Sequence, residues 1–342
     1  MKQDGLRPEG VLIYGTGEVG QAVTRLLHAR GWRIAGAVNR AGPKVGQDLG
    51  TLAGLASPLG MAIGDADKAD LRRFGADIAV LAVSDWLEVN VAIHRRLLGA
   101  GLNVICLGGE SSYPAAVDAG IAAEIDRLAK SNGVTLTGCG LWDTYRLWSL
   151  RTLAGPCTSL RRLHHRSVTD VNRFGAEVAR MVGVGDDPAE FKGGGSSIYR
   201  VLLHQVVASL GLTVEQVRQR QEPVTSQRPL DCPALGRAIA PGRITGSRSV
   251  IEAATREGVT ALAEIDLRLT EPGEGEWIGW TIDGEPPLEL RLSGIDTGHA
   301  TASSAVNRIA DVIAAPPGLV TTDALAPMKC QSIAAIYEEA MG

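Results

Sequence analysis

The chain has 342 residues, which exceeds the usual size of one hydrophobic core and predicts two domains. Its net charge of −4 gives no electrostatic reason to expect nucleic acid or an anionic membrane surface as a partner. No apolar run reaches membrane-spanning length, the N-terminus lacks the apolar core of a signal peptide, and the five cysteines form no CxxC pair, so we expect a cytoplasmic protein with free thiols and no metal site.

The first 140 residues alternate short apolar runs with helical patterns. The apolar runs predict strands at 11–15, 33–39, 76–83, 103–109 and 134–140. Apolar residues at helical spacing predict helices over 18–30, 86–99 and 115–131. Strands that alternate with helices are typical of an α/β fold with a Rossmann-type, doubly wound parallel sheet and right-handed crossovers.

The pattern changes after residue 140. Helices are predicted over 141–154, 173–183, 196–210 and 301–315, the last of which ends at a Pro-Pro-Gly stop. Strands are predicted at 157–168, 244–255, 259–270, 276–283 and 288–296. Residues 211–241 are rich in Pro, Arg and Gln and predict an irregular excursion. A C-terminal α+β domain with a mainly antiparallel sheet is therefore expected.

A glycine-rich turn follows the first predicted strand. The segment "YGTGEVGQA" places three glycines in a GxGxxG pattern at the mouth of a helix. In this pattern the first glycine permits the tight turn, the second lets the backbone approach a pyrophosphate, and the third lets helix and strand pack closely. The helix N-terminus adds free N–H groups for phosphate oxygens. We predict that a dinucleotide binds at Gly15, Thr16, Gly17, Glu18, Val19 and Gly20, the alternative being a purely structural turn.

The end of the second predicted strand indicates which dinucleotide binds. An acidic residue there would hold the ribose 2′-hydroxyl of NAD, but this chain has Asn39 and Arg40, with Lys44 close behind. No carboxylate repels a 2′-phosphate, and a guanidinium is available to bind one. NADP(H) is therefore favoured, with NAD(H) as the second option. The alternative is that Arg40 is simply a solvated loop residue.

Glu110 follows two glycines at the end of a buried strand, at the edge of the apolar core. In an open parallel sheet, ligands bind outside the carboxyl ends of the strands, so Val83, Ser84 and Gly108 are expected to border the cofactor. Glu110 would then lie near the nicotinamide, in a partly buried position suited to general acid–base catalysis. Spacing alone favours equally a surface carboxylate that caps the helix predicted near Pro114.

Six stretches, taken in order, resemble one family. They extend from near residue 11 to near residue 325 and read "YGTGEVGQAV", "KVGQDLGTLAGL", "NVICLGGESSYP", "AAEIDRLAKSNGVTLTGCG", "RFGAEVARMVGVGDDPAEF" and "NRIADVIAAPPGLVT". In these stretches the chain resembles the 2,4-diaminopentanoate dehydrogenases and the related native amine dehydrogenases, whose N-terminal half is similar to dihydrodipicolinate reductase. The resemblance implies a nicotinamide-dependent reaction that reversibly converts an amine and water into a carbonyl compound and ammonia.

The same resemblance implies a domain plan and a set of site residues. Residues 1–140, completed by 299–342, would form the dinucleotide-binding domain, and residues 141–298 would form the substrate-binding domain, whose sheet builds a homodimer. In such enzymes a glutamate at the end of this strand assists ammonia and imine chemistry, and Glu110 is the matching position. By the same match, the substrate cavity would be lined by Trp142, Tyr145, Asn172 and His299.

Three departures from the family pattern fall where substrate is expected to bind. Gly109 stands where the family typically has a second carboxylate, and the segments 142–145 and 193–200 differ from the usual motifs. The sequence therefore predicts an NAD(P)H-dependent amine dehydrogenase that aminates a small ketone or aldehyde, with a rebuilt pocket. The alternatives are a cyclic-imine or carbonyl reductase of the dihydrodipicolinate reductase type and a non-catalytic NAD(P)-binding sensor.

Overall fold

Two structural units make up the chain. The computed structural model describes residues 10–193 and 198–330. The first unit comprises Met1–Thr144 and Gly298–Gly342, and the second comprises Tyr145–Thr297. The chain therefore leaves the first unit after residue 144 and returns to it at residue 298.

The first unit begins with alternating strands and helices. Its strands are β1 (Val11–Tyr14), β2 (Ile34–Asn39), β3 (Gly64–Asp65), β4 (Ile78–Leu81), β5 (Asn103–Cys106) and β6 (Thr135–Gly138). Its helices are α1 (Glu18–Ala29), α2 (Leu49–Leu52), α3 (Leu87–Gly99) and α4 (Ala119–Ser131). Every residue of β1, β4 and β6 is buried, as expected for parallel strands covered on both faces.

The second unit is built around a six-stranded sheet. After a π-helical segment at Asp143–Trp148, its helices are α5 (Ser149–Ala154), α6 (Gly175–Met181) and α7 (Ile198–Ala208). Its strands are β7 (Ser159–Asp170), β8 (Val214–Thr225), β9 (Leu230–Cys232), β10 (Arg237–Ile239), β11 (Ile244–Thr255), β12 (Thr260–Arg268), β13 (Trp277–Glu285) and β14 (Leu288–Ser293). The sheet order is β14-β13-β7-β12-β11-β8, and β7 with β12 is its one parallel pair among the described residues.

The last elements complete the first unit. Helix α8 (Thr297–Ala314) precedes strand β15 (Gly318–Leu319), which pairs with β6. The finished sheet has the order β15-β6-β5-β4-β1-β2-β3, and all of its pairs are parallel. Strand order reverses between β1 and β4, the place where open parallel sheets form a binding crevice. The predicted fold class is confirmed.

Hydrogen bonds hold the returning segment against the N-terminal part of the unit. The Arg30 guanidinium donates to the Asn307 amide oxygen at 2.6 Å. The Thr135 hydroxyl on β6 donates to the carbonyl oxygens of Ala315 and Pro316 at 3.3 and 3.0 Å. These bonds position β15 beside β6, so the sheet of the first unit uses chain from both ends.

Two predicted helix starts are wrong by several residues. The helix predicted from 115 begins at Ala119, because Pro114–Ala116 forms a short 3-10 turn and Asp118 caps the helix by accepting from the Ile121 N–H at 2.9 Å. The helix predicted from 301 begins at Thr297. The first residue of a helix is hard to predict from apolar periodicity, because the residues at a helix end are polar and do not follow that periodicity.

The prediction of an irregular excursion over 211–241 is wrong. The region contains the 12-residue strand β8 and the short antiparallel pair β9 and β10. Strand β8 lies at an edge of its sheet, pairs with β11, and has no fully buried residue. An edge strand tolerates Pro223 and polar side chains because one side of its backbone ladder has no partner strand.

His94 on α3 is expected to make folding pH-dependent. Its ring is buried within the apolar core, and neither ring nitrogen has a hydrogen-bond partner in the described part of the chain. Burial lowers the pKa of His94 from 6.5 to about 4. The folded state therefore excludes a proton that the unfolded chain binds, so stability is full above about pH 6.5 and falls by about 3 kcal/mol as the pH drops to 4.

A His94→Leu variant isolates this contribution. We expect urea midpoints of the variant and the parent to lie close together near neutral pH, and the variant to become relatively more stable as the pH falls toward about 4.5. His28→Gln is the matched control, because it also removes one imidazole, but from an exposed position on α1. Parallel pH dependences for His94→Leu and the parent would show that His94 titrates normally in the fold.

Candidate active site

Three glycines shape the turn between β1 and α1. Gly15 has a φ of +97°, and a Cβ there would collide with the carbonyl oxygen of Ala82. A Cβ on Gly20 would collide with the carbonyl oxygen of Gly15, whereas a Cβ on Gly17 would meet no atom within 4 Å. Gly15 and Gly20 are thus required by packing, while Gly17 borders open space at the N-terminus of α1. That space fits a pyrophosphate.

Thr16 connects the glycine turn to the end of β2. Its N–H donates to the Asn39 side-chain oxygen at 3.3 Å, and its carbonyl oxygen accepts from the Lys44 amine at 2.9 Å. The buried Thr16 hydroxyl has no hydrogen-bond partner within residues 10–193 and 198–330, which leaves it for a bound ligand. Arg40 is exposed immediately after β2. These groups fit a dinucleotide that crosses the carboxyl ends of β1 and β2.

The remaining residues predicted to bind the cofactor lie at the start of α1 and in the turns that follow β4 and β5. Glu18 and Val19 begin α1, with Glu18 exposed and Val19 packed against the apolar core. Val83 is 46% exposed just after β4, where a large apolar side chain gains from being covered by a ligand. A Cβ on Gly108 would collide with the carbonyl oxygen of Ser84. The turns that follow β4 and β5 are therefore in direct contact.

Glu110 is buried, with 6% of its surface exposed, in a short 3-10 turn that follows β5. Its carboxylate accepts from the Leu87 N–H at 2.7 Å, at the first turn of α3. The alternative of a surface carboxylate that caps the helix near Pro114 is wrong, because Glu110 is buried and Asp118 caps α4 instead.

Sequence reasoning did not assign roles to Asp85, which holds the Glu110 turn, or to Asn90, which holds the turn after β4. The Asp85 carboxylate accepts from the Gly109 N–H at 3.0 Å, and the Asp85 carbonyl oxygen accepts from the Glu110 N–H at 3.0 Å. The buried Asn90 amide donates to the Ser84 carbonyl oxygen at 2.7 Å.

Burial raises the pKa of the Asp85 carboxyl, the Gly109 N–H lowers it, and the nearby charge of Glu110 raises it again. Asp85 as a whole residue is exposed, so the burial concerns the surroundings of its carboxyl group. Two carboxyl groups therefore influence each other at the carboxyl ends of β4 and β5.

The first unit contains two of the four predicted substrate residues. Trp142 is half-buried and precedes Asp143, whose carboxylate accepts from the Arg308 guanidinium of α8 at 2.7 and 3.1 Å. This buried ion pair fixes the chain next to Trp142. His299 is exposed near the start of α8.

The second unit contains the other two predicted substrate residues. Tyr145 is half-buried in the π-helical segment, a distortion that often occurs at functional sites. Asn172 is half-buried in a 3-10 turn after β7, where its side-chain oxygen accepts from the Ala234 N–H at 3.3 Å. Residues 194–197 of the altered glycine-rich motif lie outside the described residues.

In the described part of the chain, His, Cys, Asp and Glu side chains form no group of three or more that could hold a metal ion. No helix among the same residues is long and apolar enough to span a membrane.

The parallel sheet, its glycine turn and the second unit define a nicotinamide dinucleotide-dependent dehydrogenase. A family model described as the 2,4-diaminopentanoate dehydrogenase C-terminal domain matches residues 149–336, more than half of the chain. The chain belongs to the 2,4-diaminopentanoate dehydrogenase family. The predicted family and the predicted class, an NAD(P)-dependent oxidoreductase of the amine dehydrogenase type, are confirmed.

Individual relatives agree with this assignment. The 2,4-diaminopentanoate dehydrogenase of Acetoanaerobium sticklandii is 26% identical over 332 residues, which cover 91% of each chain. The structure of an amine dehydrogenase from Mycobacterium smegmatis is 36% identical, covers 94% of this chain and 97% of its own, and has a TM-score of 0.84. GenD2 from gentamicin A biosynthesis, solved in complex with NAD, is 17% identical over 86% of this chain and 74% of its own, with a TM-score of 0.55, and shares the fold.

Proposed function

We propose that the protein is an NAD(P)H-dependent amine dehydrogenase that aminates a small ketone or aldehyde with ammonia, and that the reverse reaction is oxidative deamination. In the reductive direction, carbonyl compound, ammonia, reduced cofactor and a proton give amine, water and oxidised cofactor. Family membership supports the reaction class. The observation that carries the proposal is the buried carboxylate of Glu110 at the carboxyl ends of β4 and β5.

Glu110 would handle the protons of this reaction. When bound, the reduced nicotinamide supplies a hydride to the substrate C=N bond. The Glu110 carboxylate would first accept a proton from ammonium, which gives the nucleophilic ammonia. It would then return a proton to the hydroxyl of the carbinolamine, so that water leaves and an iminium forms. The Leu87 N–H holds one carboxylate oxygen, which orients the group for both transfers.

NADP(H) is the favoured cofactor under this proposal. The residue that ends β2 is Asn39 and not a carboxylate, so no negative charge opposes a 2′-phosphate. Arg40 is exposed beside it, and the Lys44 amine lies 2.9 Å from the Thr16 carbonyl oxygen. Two cations thus flank the turn that would hold the adenosine ribose. NAD(H) remains the second option.

The substrate would be small and contact two aromatic side chains. On the basis of the family match, we assign substrate contacts to Trp142, Tyr145, Asn172 and His299. Aromatic walls exclude water from the reacting C=N bond and favour an apolar carbonyl compound.

The proposed assembly is a homodimer formed through the sheet of the second unit. Along β12 the side chains alternate, so that Ala263 and Ile265 join the apolar core while Glu264 and Asp266 lie on the opposite face. On this opposite face, the Arg248 guanidinium donates to the Asp266 carboxylate at 2.6 and 2.9 Å, and Asp266 is nearly fully buried. Sedimentation velocity should give twice the 35.9 kDa chain mass, and a monomer would contradict this assembly.

A substrate panel tests the proposed function. NADPH and NADH oxidation is measured with small ketones and aldehydes, each with and without ammonium. We expect turnover that requires ammonium and is faster with NADPH. Equal rates without ammonium would indicate a cyclic-imine or carbonyl reductase, and cofactor binding without turnover on any carbonyl compound would indicate a non-catalytic sensor.

A further inference from the structure

Asp85 bonds two consecutive N–H groups of the neighbouring turn. Its carboxylate accepts from the Gly109 N–H and its carbonyl oxygen accepts from the Glu110 N–H, both at 3.0 Å. Asp85 follows β4, whereas Gly109 and Glu110 follow β5. One residue thus fixes the main chain on which the candidate catalytic carboxylate is carried.

Glu110 is also hydrogen-bonded to the segment that contains Asp85. The Glu110 carboxylate accepts from the Leu87 N–H at 2.7 Å, two residues beyond Asp85. The turn after β4 and the turn after β5 are also in direct contact. Gly108 packs against the Ser84 carbonyl oxygen, and this contact leaves no room for a Cβ at position 108. Three hydrogen bonds and this contact leave Glu110 little freedom, because a shift of either turn breaks several bonds together.

Charge adds a reason for the arrangement. Glu110 is buried, and a buried carboxylate needs fixed hydrogen-bond donors to remain in place. The Leu87 N–H donates to the Glu110 carboxylate, whereas the Gly109 and Glu110 N–H groups donate to Asp85 and so hold the main chain that carries this carboxylate. Apart from Glu110 itself, Asp85 is the residue whose side chain takes part in these three bonds.

We propose that Asp85 is a positioning residue that holds Glu110 in its reactive geometry. The inference rests on the proposed function of Glu110. Asp85 acts through the Gly109–Glu110 main chain and does not itself exchange protons with substrate. A displacement of about 1 Å at a reacting group can lower a rate by about 100-fold, so an anchor of this kind has a measurable kinetic effect.

Two variants of Asp85 separate positioning from general disruption. Asp85→Ala removes the acceptor for the Gly109 N–H, and we expect kcat to fall by about 30- to 100-fold while KM for NADPH changes by less than about twofold. Asp85→Asn keeps an acceptor oxygen at the same place and should restore most of kcat. Asp118→Ala is the matched control, because Asp118 caps α4 through a similar bond at 2.9 Å and should leave kcat unchanged.

A double variant tests the connection to Glu110. If Asp85 acts through Glu110, Asp85→Ala should cost almost nothing further in a Glu110→Gln background. Independent, multiplicative losses would overturn the inference, as would an Asp85→Asn variant as slow as Asp85→Ala. Near-normal turnover of Glu110→Gln alone would instead contradict the proposed function, so the two failures are distinguishable.

Hydrogen exchange provides a readout that needs no turnover. We expect the amides of Gly109 and Glu110 to exchange faster in Asp85→Ala than in the parent, and at the parent rate in Asp85→Asn. Unchanged exchange in Asp85→Ala would overturn the inference whatever the substrate proves to be.

Discussion

Replacing Glu110 by Gln is expected to lower kcat for amination by at least about 100-fold, because the amide can neither accept a proton from ammonium nor return one to the carbinolamine. The Gln side-chain oxygen can still accept from the Leu87 N–H, so the local hydrogen bond is kept. Dinucleotide affinity should stay within about twofold of the parent, since Glu110 acts on protons and does not anchor phosphates. Steady-state kinetics with a confirmed substrate, together with calorimetry of cofactor binding, measures both quantities.

Glu88→Gln is the matched control for this variant. Glu88 is an exposed carboxylate in the first turn of α3. It follows Leu87, whose N–H donates to the Glu110 carboxylate. Its replacement removes the same charge from the same helix terminus and should leave kcat within about twofold of the parent, because an exposed charge is screened by solvent. A Glu110→Gln enzyme with near-normal turnover would show that another group handles the protons.

The nucleotide side of the site is where the sequence was most informative. A GxGxxG turn needs Gly15 for its positive φ and Gly20 for its helix–strand contact. Both glycines lie within the nine-residue segment "YGTGEVGQA", so a local pattern is enough to identify them. The position of Glu110 could also be anticipated, because a buried strand followed by glycines defines the carboxyl edge of a sheet. Local patterns therefore predicted the glycine turn, whereas for Glu110 they left a surface helix cap as an equal alternative.

Features that depend on contacts distant along the chain could not be predicted in this way. Strand β8 is polar because it lies at an edge, and only its pairing with β11 identifies it as a strand. Asp85 has no unusual local pattern, and its role follows from bonds to residues 24 and 25 positions later. The bond of Glu110 to Leu87 likewise joins turns that only the folded sheet brings together.

The second large effect is expected at Gly17, where folding and ligand binding impose different requirements. A Cβ at this position would meet no atom within 4 Å, and the φ of −70° suits any residue. We therefore expect Gly17→Val to keep the melting temperature of the parent and to weaken NADPH binding by about 100-fold, the equivalent of two lost charge-assisted hydrogen bonds of about 1.5 kcal/mol each.

Gly20→Ala provides the contrast, because its Cβ would collide with the Gly15 carbonyl oxygen, an atom of the backbone that cannot rotate away. This variant should lose stability as well as NADPH binding. Thermal unfolding and calorimetry on both variants separate the two requirements. If Gly17→Val bound NADPH like the parent, the pyrophosphate would not lie over this turn, and the assignment of the dinucleotide to the carboxyl end of β1 would be wrong.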